Sequence, residues 1–151
     1  MTEKSYNSPQ NQISLIAFKA DKLHFEVKDI SEEDNSTLHN FELNLESDTL
    51  TDNTFGIVYH VLVVFYSSDD NVKLEVELDY VAIFECSTKI DKEFLESSFV
   101  KISAPAIGFP YVRAFISNLS LQAGFPPIML PSINFVQFSQ QQESNVKKGF
   151  D

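Results

Sequence analysis

The sequence predicts an α+β protein in which helices pack on one face of a four-stranded antiparallel sheet. Apolar and polar side chains alternate with a two-residue period in the first half of the chain, as in strands with one buried face. Apolar residues at helical spacing occupy the second half, most clearly at 112–119. Strands that precede helices, instead of alternating with them, indicate segregated layers.

The first two strands are predicted on either side of an acidic loop. Residues 13–28 alternate in two registers that change at 19–22, which indicates one long strand with a bulge or kink. Residues 29–40 are polar and acidic, and we expect a loop there. Apolar residues alternate with acidic or amide ones at 41–46, which predicts a strand with one face in water. The polar residues 47–54 are expected to turn the chain.

The third and fourth strands form a predicted hairpin. Residues 57–66 are nearly all apolar and rich in β-branched and aromatic side chains, which indicates a central strand or one covered on both faces. A polar turn is expected at 67–71. Charged residues then alternate with apolar ones at 73–80, so this segment should pair with the third strand in antiparallel fashion.

Capping residues suggest where the helices begin and end. Asp91 can cap a short helix after the last strand. Pro110 is expected to open the principal helix, because proline fits the first turn, where its missing N–H costs nothing. Gly124 is expected to end that helix in the left-handed conformation. Asn134 can then cap a last helix that extends through Phe138.

The chain reads as one domain. Its 151 residues are 43% hydrophobic, which is enough for a core of ordinary size. We expect a disordered arm at 1–11, a folded domain at 12–139 and a polar tail at 140–151. The N-terminal residues resemble no signal peptide, and Cys86, the one cysteine, cannot form an internal disulfide. These features suit a soluble cytoplasmic protein.

The negative charge is concentrated in the strand region. The formal net charge is −11, and the segment 26–96 alone holds 18 acidic and 4 basic residues, a balance of −14. Such a surface repels nucleic acid and anionic lipid and attracts basic partners. The face of the sheet away from the helices is predicted to carry Glu42, Glu46, Glu75, Glu77 and Asp79.

No catalytic or metal-binding set is visible. The three histidines, His24, His39 and His60, lack the close spacing that metal ligands show. Cys86 has no CxxC partner, and four glycines cannot build a phosphate-binding loop. We therefore expect no enzymatic activity, no cofactor and no metal.

An apolar, proline-rich segment follows the principal helix. Pro126, Pro127 and Pro131 exclude both a helix interior and a central strand, so this connection should be extended. An extended connection with many apolar side chains must cover the core or bind something. The candidate binding residues here and at the start of the last helix are Phe125, Ile128, Met129, Leu130, Ile133, Phe135 and Phe138.

Three short motifs in this region resemble the C-terminal signature of the SecB family of bacterial protein-export chaperones. They are FPYVR at 109–113, GFPP at 124–127 and INF at 133–135, in the family's order and spacing. The resemblance implies a SecB-like fold and an ATP-independent chaperone, or holdase. Such a protein binds unfolded precursor proteins and delivers them to the SecA motor ATPase of the translocation machinery. In the family, the proline-rich loop, the last helix and the sheet line the client-binding groove.

The same resemblance implies two further surfaces. Tyr111, Phe115 and Leu119 are the predicted interface residues on the helix that joins dimers into a homotetramer in the family. Tyr111, Phe115 and Leu121 widen the apolar arc of that helix beyond one face, which itself suggests self-association. The outer face of the family's sheet docks the basic tail of SecA. The matching residues here are Glu26 and Glu77, whereas at two neighbouring family positions Lys22 replaces an acidic residue and Glu75 an apolar one. Asp21 lies one place from the lost acid, so the predicted docking residues are Asp21, Glu26, Glu75 and Glu77.

Two other hypotheses remain open at this point. The altered docking positions favour a SecB-like chaperone dedicated to one client, such as a toxin–antitoxin pair. A small ligand-binding or enzymatic α+β domain is the second alternative, which a defined metal or cofactor would support.

Overall fold

The computed structural model describes residues 13–28, 37–66 and 72–148. The predicted disordered arm, the turn at 67–71 and most of the loop at 29–40 lie outside these residues. The strands are β1 (Ile13–Val27), β2 (Thr37–Thr49), β3 (Thr54–Tyr66) and β4 (Val72–Cys86). The helices are α1 (Lys92–Leu95), α2 (Ala104–Gln122) and α3 (Phe135–Lys148), with a π-helical turn at Phe99–Ser103.

The four strands form one antiparallel sheet in the order β1-β4-β3-β2, and the helices pack on one of its faces. The predicted four-stranded α+β fold is therefore confirmed, with β3 in an interior position and paired to β4. β1 has two register shifts, at Leu15/Ala17 and Ala20/Lys22, which confirms the bulged long strand. The two bulges let its apolar residues return to the inner face after each interruption.

β2 and β4 are longer than the sequence pattern indicated. β2 begins at Thr37 and ends at Thr49, so it includes residues that were expected to belong to the loops at 29–40 and 47–54. Thr37 pairs with Tyr66, and polar residues near Thr49 still pair with β3. The prediction was wrong there because a strand end is fixed by backbone pairing to its neighbour, which side-chain polarity does not report.

The core lies between the inner face of the sheet and α2. Val112 and Ile116 on α2 are fully buried, which confirms the predicted apolar stripe. Tyr59 and Phe55 on β3 are also fully buried. Burial of each large side chain contributes roughly 1.5–3 kcal/mol. The continuous segment Phe99–Gln122 is long and apolar enough to cross a membrane by length and composition alone. Its buried stripe is explained by packing on the sheet.

The start of α2 differs from the prediction. The helix begins at Ala104, with Pro105 in its first turn, and Pro110 lies inside it. The expected opening at Pro110 is therefore wrong. The Tyr59 hydroxyl donates a hydrogen bond of 2.8 Å to the carbonyl oxygen of Pro105, which ties the first turn of α2 to the sheet. This tertiary contact stabilises helix before Pro110, although proline cannot donate to the carbonyl four residues earlier.

The end of α2 matches the prediction. Gly124 has a φ of 92°, in the left-handed region. Its N–H donates to the carbonyl of Leu121 at 3.0 Å, and the N–H of Phe125 donates to Ser120 at 2.9 Å. These two bonds form a Schellman motif, which directs the chain away from the helix axis and into the proline-rich segment.

Gly108 allows α2 to lie close to the sheet. A Cβ at this position would overlap the Tyr59 hydroxyl and lie 3.2 Å from the Cβ of Ala82. We expect Gly108→Ala to destabilise the protein by about 1–3 kcal/mol, despite alanine's higher helix propensity, because the helix must move away from β3. Thermal or urea denaturation followed by circular dichroism measures the change.

Gly56→Ala is the matched control, since a Cβ there meets its nearest neighbour, Val81, at an ordinary 3.6 Å. Adding Tyr59→Phe removes the clashing oxygen, so the double variant with Gly108→Ala should lose less stability than the sum of the two single losses. Strict additivity would contradict the proposed overlap.

Candidate functional site

The proline-rich segment has an inward and an outward side. It carries no regular secondary structure from Pro126 to Asn134, as expected. Ile128 and Leu130 are buried, whereas Met129 between them is 67% exposed. An extended chain directs successive side chains to opposite sides, so the same segment both covers the core and presents an apolar residue to solvent.

The other candidate residues of this region attach the segment to the core. Phe125 is half-buried, and its ring lies 6.3 Å from that of Phe25 on β1. Phe135 is buried and packs edge-on against Phe109 of α2, with ring centroids 5.5 Å apart. Phe138 is half-buried against Phe135, and Ile133 is half-buried as well. These residues therefore fix the segment at both ends, and Met129 remains the most exposed residue of the predicted groove set.

Ser120 holds the middle of the segment and was missed from the sequence. Its side chain is fully buried; the hydroxyl donates to the carbonyl of Ser117 at 2.8 Å and accepts from the N–H of Ile128 at 2.9 Å. A signal was present, because Ser120 continues the four-residue spacing of Val112 and Ile116. A serine on a buried stripe needs hydrogen-bond partners nearby.

A cleft of about 260 Å³ opens between α2 and the proline-rich segment. Pro110, Arg113 and Ala114 line it from α2, and Met129 lines it from the opposite side. The volume is below the usual 300–1,000 Å³ of small-molecule pockets. It suits one or two apolar side chains of a larger ligand.

A second cleft, of about 230 Å³, lies between the edge strand β2 and α3. Its walls are largely apolar and come from Ile57 of β3 and from five other elements, so local sequence patterns could not have assembled them. Leu45 lines it from β2, Leu95 from α1, Val100 from the π-helical turn, Pro105 from α2 and Ser139 from α3. None of these residues was in the predicted groove set.

The outer edge of β2 borders the second cleft. From Asn40 to Thr49 this strand pairs with β3 without a register shift, and within the described residues no strand pairs with its other side. β1, the opposite edge, is protected by two bulges and by lysines such as Lys19 and Lys22. The β2 edge therefore has the regular backbone geometry that an added strand requires.

α3 begins where predicted and continues further than predicted. The Asn134 side-chain oxygen accepts from the N–H groups of Val136 and Gln137 at 3.1 and 3.2 Å, which confirms the cap. The helix then runs to Lys148, through most of the expected polar tail. Polar residues without an apolar stripe gave no periodic signal for this extension.

The three predicted interface residues of α2 have different environments. Tyr111 is 42% exposed and stacks on Phe18 of β1, with ring centroids 4.5 Å apart. Phe115 and Leu119 are half-buried, and Phe115 packs against Tyr80 of the chain's own sheet. Phe18, Ile107 and Tyr111 form an exposed apolar surface, which we call the β1–α2 strip.

Each predicted docking carboxylate on the sheet lies beside a basic side chain. The four pairs therefore reduce the negative potential of β1 and β4 that the sequence had suggested. The hydrogen bond and the charge of Glu77 raise the pKa of Lys22 above its usual value, so this lysine remains a cation. The pairs are Lys19–Asp21 at 3.2 Å, Lys22–Glu77 at 2.8 Å, His24–Glu26 at 3.0 Å and Lys28–Glu75 at 3.5 Å.

His60 lies at the centre of this outer face, between two carboxylates. Its Nδ1 is 2.6 Å from Asp79 Oδ1 on β4, and its Nε2 is 3.1 Å from Glu46 Oε2 on β2. Partial burial lowers the pKa of His60, but the hydrogen bonds and charges of Asp79 and Glu46 outweigh it and raise the net value above 6.5. Sequence spacing could not bring these three residues together, since they come from three strands.

Comparison with known proteins identifies the family. The protein-family model for the preprotein translocase subunit SecB matches residues 7–146 of this sequence. The chain belongs to the SecB family. This SecB-family chain is 32% identical over 94 residues to the protein-export protein SecB of Saccharophagus degradans, covering 62% of this chain and 55% of that protein. It is 30% identical over 107 residues to that of Burkholderia lata, covering 71% and 65% respectively.

The alignments thus span less than two thirds of the length of these curated relatives. A solved structure also shares the fold of this SecB-family chain, with a TM-score of 0.67 at 13% identity. It is a SecB-like chaperone of Mycobacterium tuberculosis in complex with a peptide from an antitoxin, and the match covers 80% of this chain and 90% of that one. The SecB resemblance drawn from three short motifs is confirmed, as is the SecB-like fold.

Ser120→Ala should release the proline-rich segment. The change leaves the buried N–H of Ile128 without its acceptor, at a cost of about 1–3 kcal/mol. We expect faster hydrogen exchange at Ile128 and at Leu130, measured by mass spectrometry or NMR. Ser117→Ala is the control, since only the carbonyl of Ser117 takes part in this network. Unchanged exchange in Ser120→Ala would contradict the anchoring role.

Proposed function

We propose that this protein is an ATP-independent chaperone that binds unfolded precursor polypeptides and delivers them to a SecA-type motor of the Sec machinery. Membership of the SecB family supports this role. The observation that carries the proposal is the exposure of Met129 on a segment fixed on both sides by buried Ile128 and Leu130. Because the flanking residues fix the backbone, the ordering cost of binding a client at Met129 is confined to its side chain.

The two clefts and the β2 edge fit an extended, unfolded client. Each cleft holds one or two apolar side chains, and attraction by burial and dispersion does not depend on the order of residues in the client. The outer edge of β2, with which no described strand pairs, offers backbone hydrogen bonds, which every polypeptide can make. This combination favours many sequences over one ligand, and it requires neither nucleotide nor cofactor.

The β1–α2 strip supports a homotetramer built as a dimer of dimers. Phe18, Ile107 and Tyr111 are each 42–47% exposed and adjoin the predicted interface residues Phe115 and Leu119. Exposed apolar surface of this kind marks association sites in soluble proteins. We place the assembled protein in the cytoplasm, where precursor proteins await export.

A dedicated chaperone for one client is the second candidate. The ion pair between Lys22 and Glu77 favours it, because this pair neutralises one of the proposed SecA-docking carboxylates. The structural similarity to a SecB-like chaperone that binds an antitoxin peptide is consistent with such a role. Membership of the SecB family favours a chaperone over the enzymatic alternative.

The purified protein should suppress aggregation of urea-denatured precursor proteins on dilution, without added nucleotide. For Met129→Asp, the chaperone concentration required for the same suppression should rise roughly tenfold, because the substitution places a charge in the apolar cleft. Light scattering follows the aggregation. Val136→Asp is the matched control, as Val136 is 49% exposed on α3 and lines neither cleft.

Failure of the wild-type protein with several unrelated clients would contradict general chaperone activity. Suppression restricted to one client would favour the dedicated chaperone. Equal loss in both variants would show that Met129 has no special role.

Multi-angle light scattering should give a mass near four chains. Tyr111→Glu should shift the protein to smaller species, because it introduces a charge beside Phe18 in the β1–α2 strip. Leu50→Glu is the control, since Leu50 is comparably exposed, at 50%, on the β2–β3 turn. A wild-type monomer, or equal dissociation by both variants, would contradict an interface at the strip.

A further inference from the structure

The contacts of His60 depend on whether the ring is charged. A protonated imidazole has two N–H donors, so it can donate to Asp79 and to Glu46 at the same time. A neutral ring has one donor and one lone pair. The nitrogen that carries the lone pair then faces a carboxylate oxygen, which is repulsive, and one of the two contacts must open.

The two carboxylates are not equivalent in this choice. Asp79 lies opposite His60 in the β3–β4 register, 2.6 Å from the ring, with its side chain 28% exposed. Glu46 is reached diagonally from β2 at 3.1 Å, and its side chain is 72% exposed. Loss of the proton should therefore keep the Asp79 contact and release Glu46, whose carboxylate is readily solvated.

The surroundings of His60 make the released carboxylate accessible to a cationic partner. A depression of about 430 Å³ on this face is lined by His60, Asn44 and Leu62, together with charged residues of the neighbouring strands. No helix among the described residues covers it. The charged residues that line this depression with His60 are Lys22 on β1, Glu42 on β2, and Glu75, Glu77 and Asp79 on β4. Glu46 on β2 contacts the His60 ring directly.

We propose that His60 is a proton-controlled clasp that withholds Glu46 from a basic partner when protonated and releases it when the proton is lost. The inference rests on the proposed docking of a basic segment to the outer face. It adds that the protonation state of His60 regulates this docking. Docking is then coupled to release of a proton from His60. Because linkage is reciprocal, a bound basic segment also makes His60 easier to deprotonate.

The clasp also changes which strands carry the docking charge. Glu77 on β4 has a lysine partner, Lys22, which stays charged across this pH range. Glu46 has a partner whose charge disappears with rising pH. Among the described outer-face ion pairs that involve β2 or β3, His60 is therefore the residue whose charge changes the negative potential of this face with pH.

Isothermal titration calorimetry with N-acetylated decalysine tests the proposal at low, constant ionic strength. Wild-type affinity should rise roughly fivefold between pH 6 and pH 8, the order expected for one exposed ion pair. Titrations in two buffers of different ionisation enthalpy should show that part of a proton is released on binding. His60→Gln should bind with an affinity that is nearly independent of pH and release no proton.

Two further variants separate the clasp from a general effect of charge. Glu46→Gln should bind at pH 8 about as weakly as the wild type does at pH 6, because the released carboxylate is missing. His24→Gln should retain the wild-type pH response, since His24 pairs with Glu26 on its own strand. An unchanged pH response in His60→Gln would overturn the clasp.

The outcomes also distinguish the clasp from the function on which it rests. Binding of decalysine with no pH response overturns the clasp and leaves docking of a basic segment intact. No binding at pH 8 overturns the clasp together with the docking proposal. Neither result affects the holding of unfolded clients, which the aggregation assay measures with the same protein preparations.

Discussion

The close packing of α2 on β3 determines the rest of this structure. The Tyr59 hydroxyl reaches the carbonyl of Pro105, and Gly108 leaves room for it. This contact sets both where the helix starts and how near it lies to the sheet. With α2 fixed along the middle of the inner face, the buried residues Val112 and Ile116 complete the core, and the flanks of the sheet are left for other elements.

The two clefts follow from this arrangement. On one side of α2, the Schellman turn at Gly124 sends the chain back as the proline-rich segment, which Ser120 fastens to the helix. On the other side, α3 spans the gap toward β2 without closing it. The prolines exclude strand and helix from this segment. Its apolar side chains therefore cannot all be buried on one face of a regular element. Ile128 and Leu130 turn inward, and Met129 remains outside.

The opposite face of the sheet is governed by electrostatics. Its strands place carboxylates side by side, as at Glu26 and Glu75, which are direct neighbours in the β1–β4 register. Like charges at that separation are destabilising unless basic groups lie between them. Lys28, which pairs with Glu75, and His24, which pairs with Glu26, fulfil this role. The same pairs that stabilise the sheet therefore lower the negative potential of this face.

The sequence by itself determined the α+β class, the four strands, the bulge in β1, the stripe on α2, the caps at Asp91, Gly124 and Asn134, and the SecB family. These features depend on local periodicity, on the conformational preferences of single residues or on short contiguous motifs. Asp91, for example, accepts from the N–H of Phe94 at 2.7 Å, as a capping side chain should.

Only the tertiary structure decided the lengths of β2 and β4, the true start of α2, the second cleft and the setting of His60. Each depends on partners far away in the chain: Tyr59 lies 46 residues from Pro105, and His60 is 19 residues from Asp79 and 14 from Glu46. Backbone pairing, helix-to-sheet distance and cross-strand ion pairs are set by which segments become neighbours. A pattern read along one segment contains no information about the atoms that will face it.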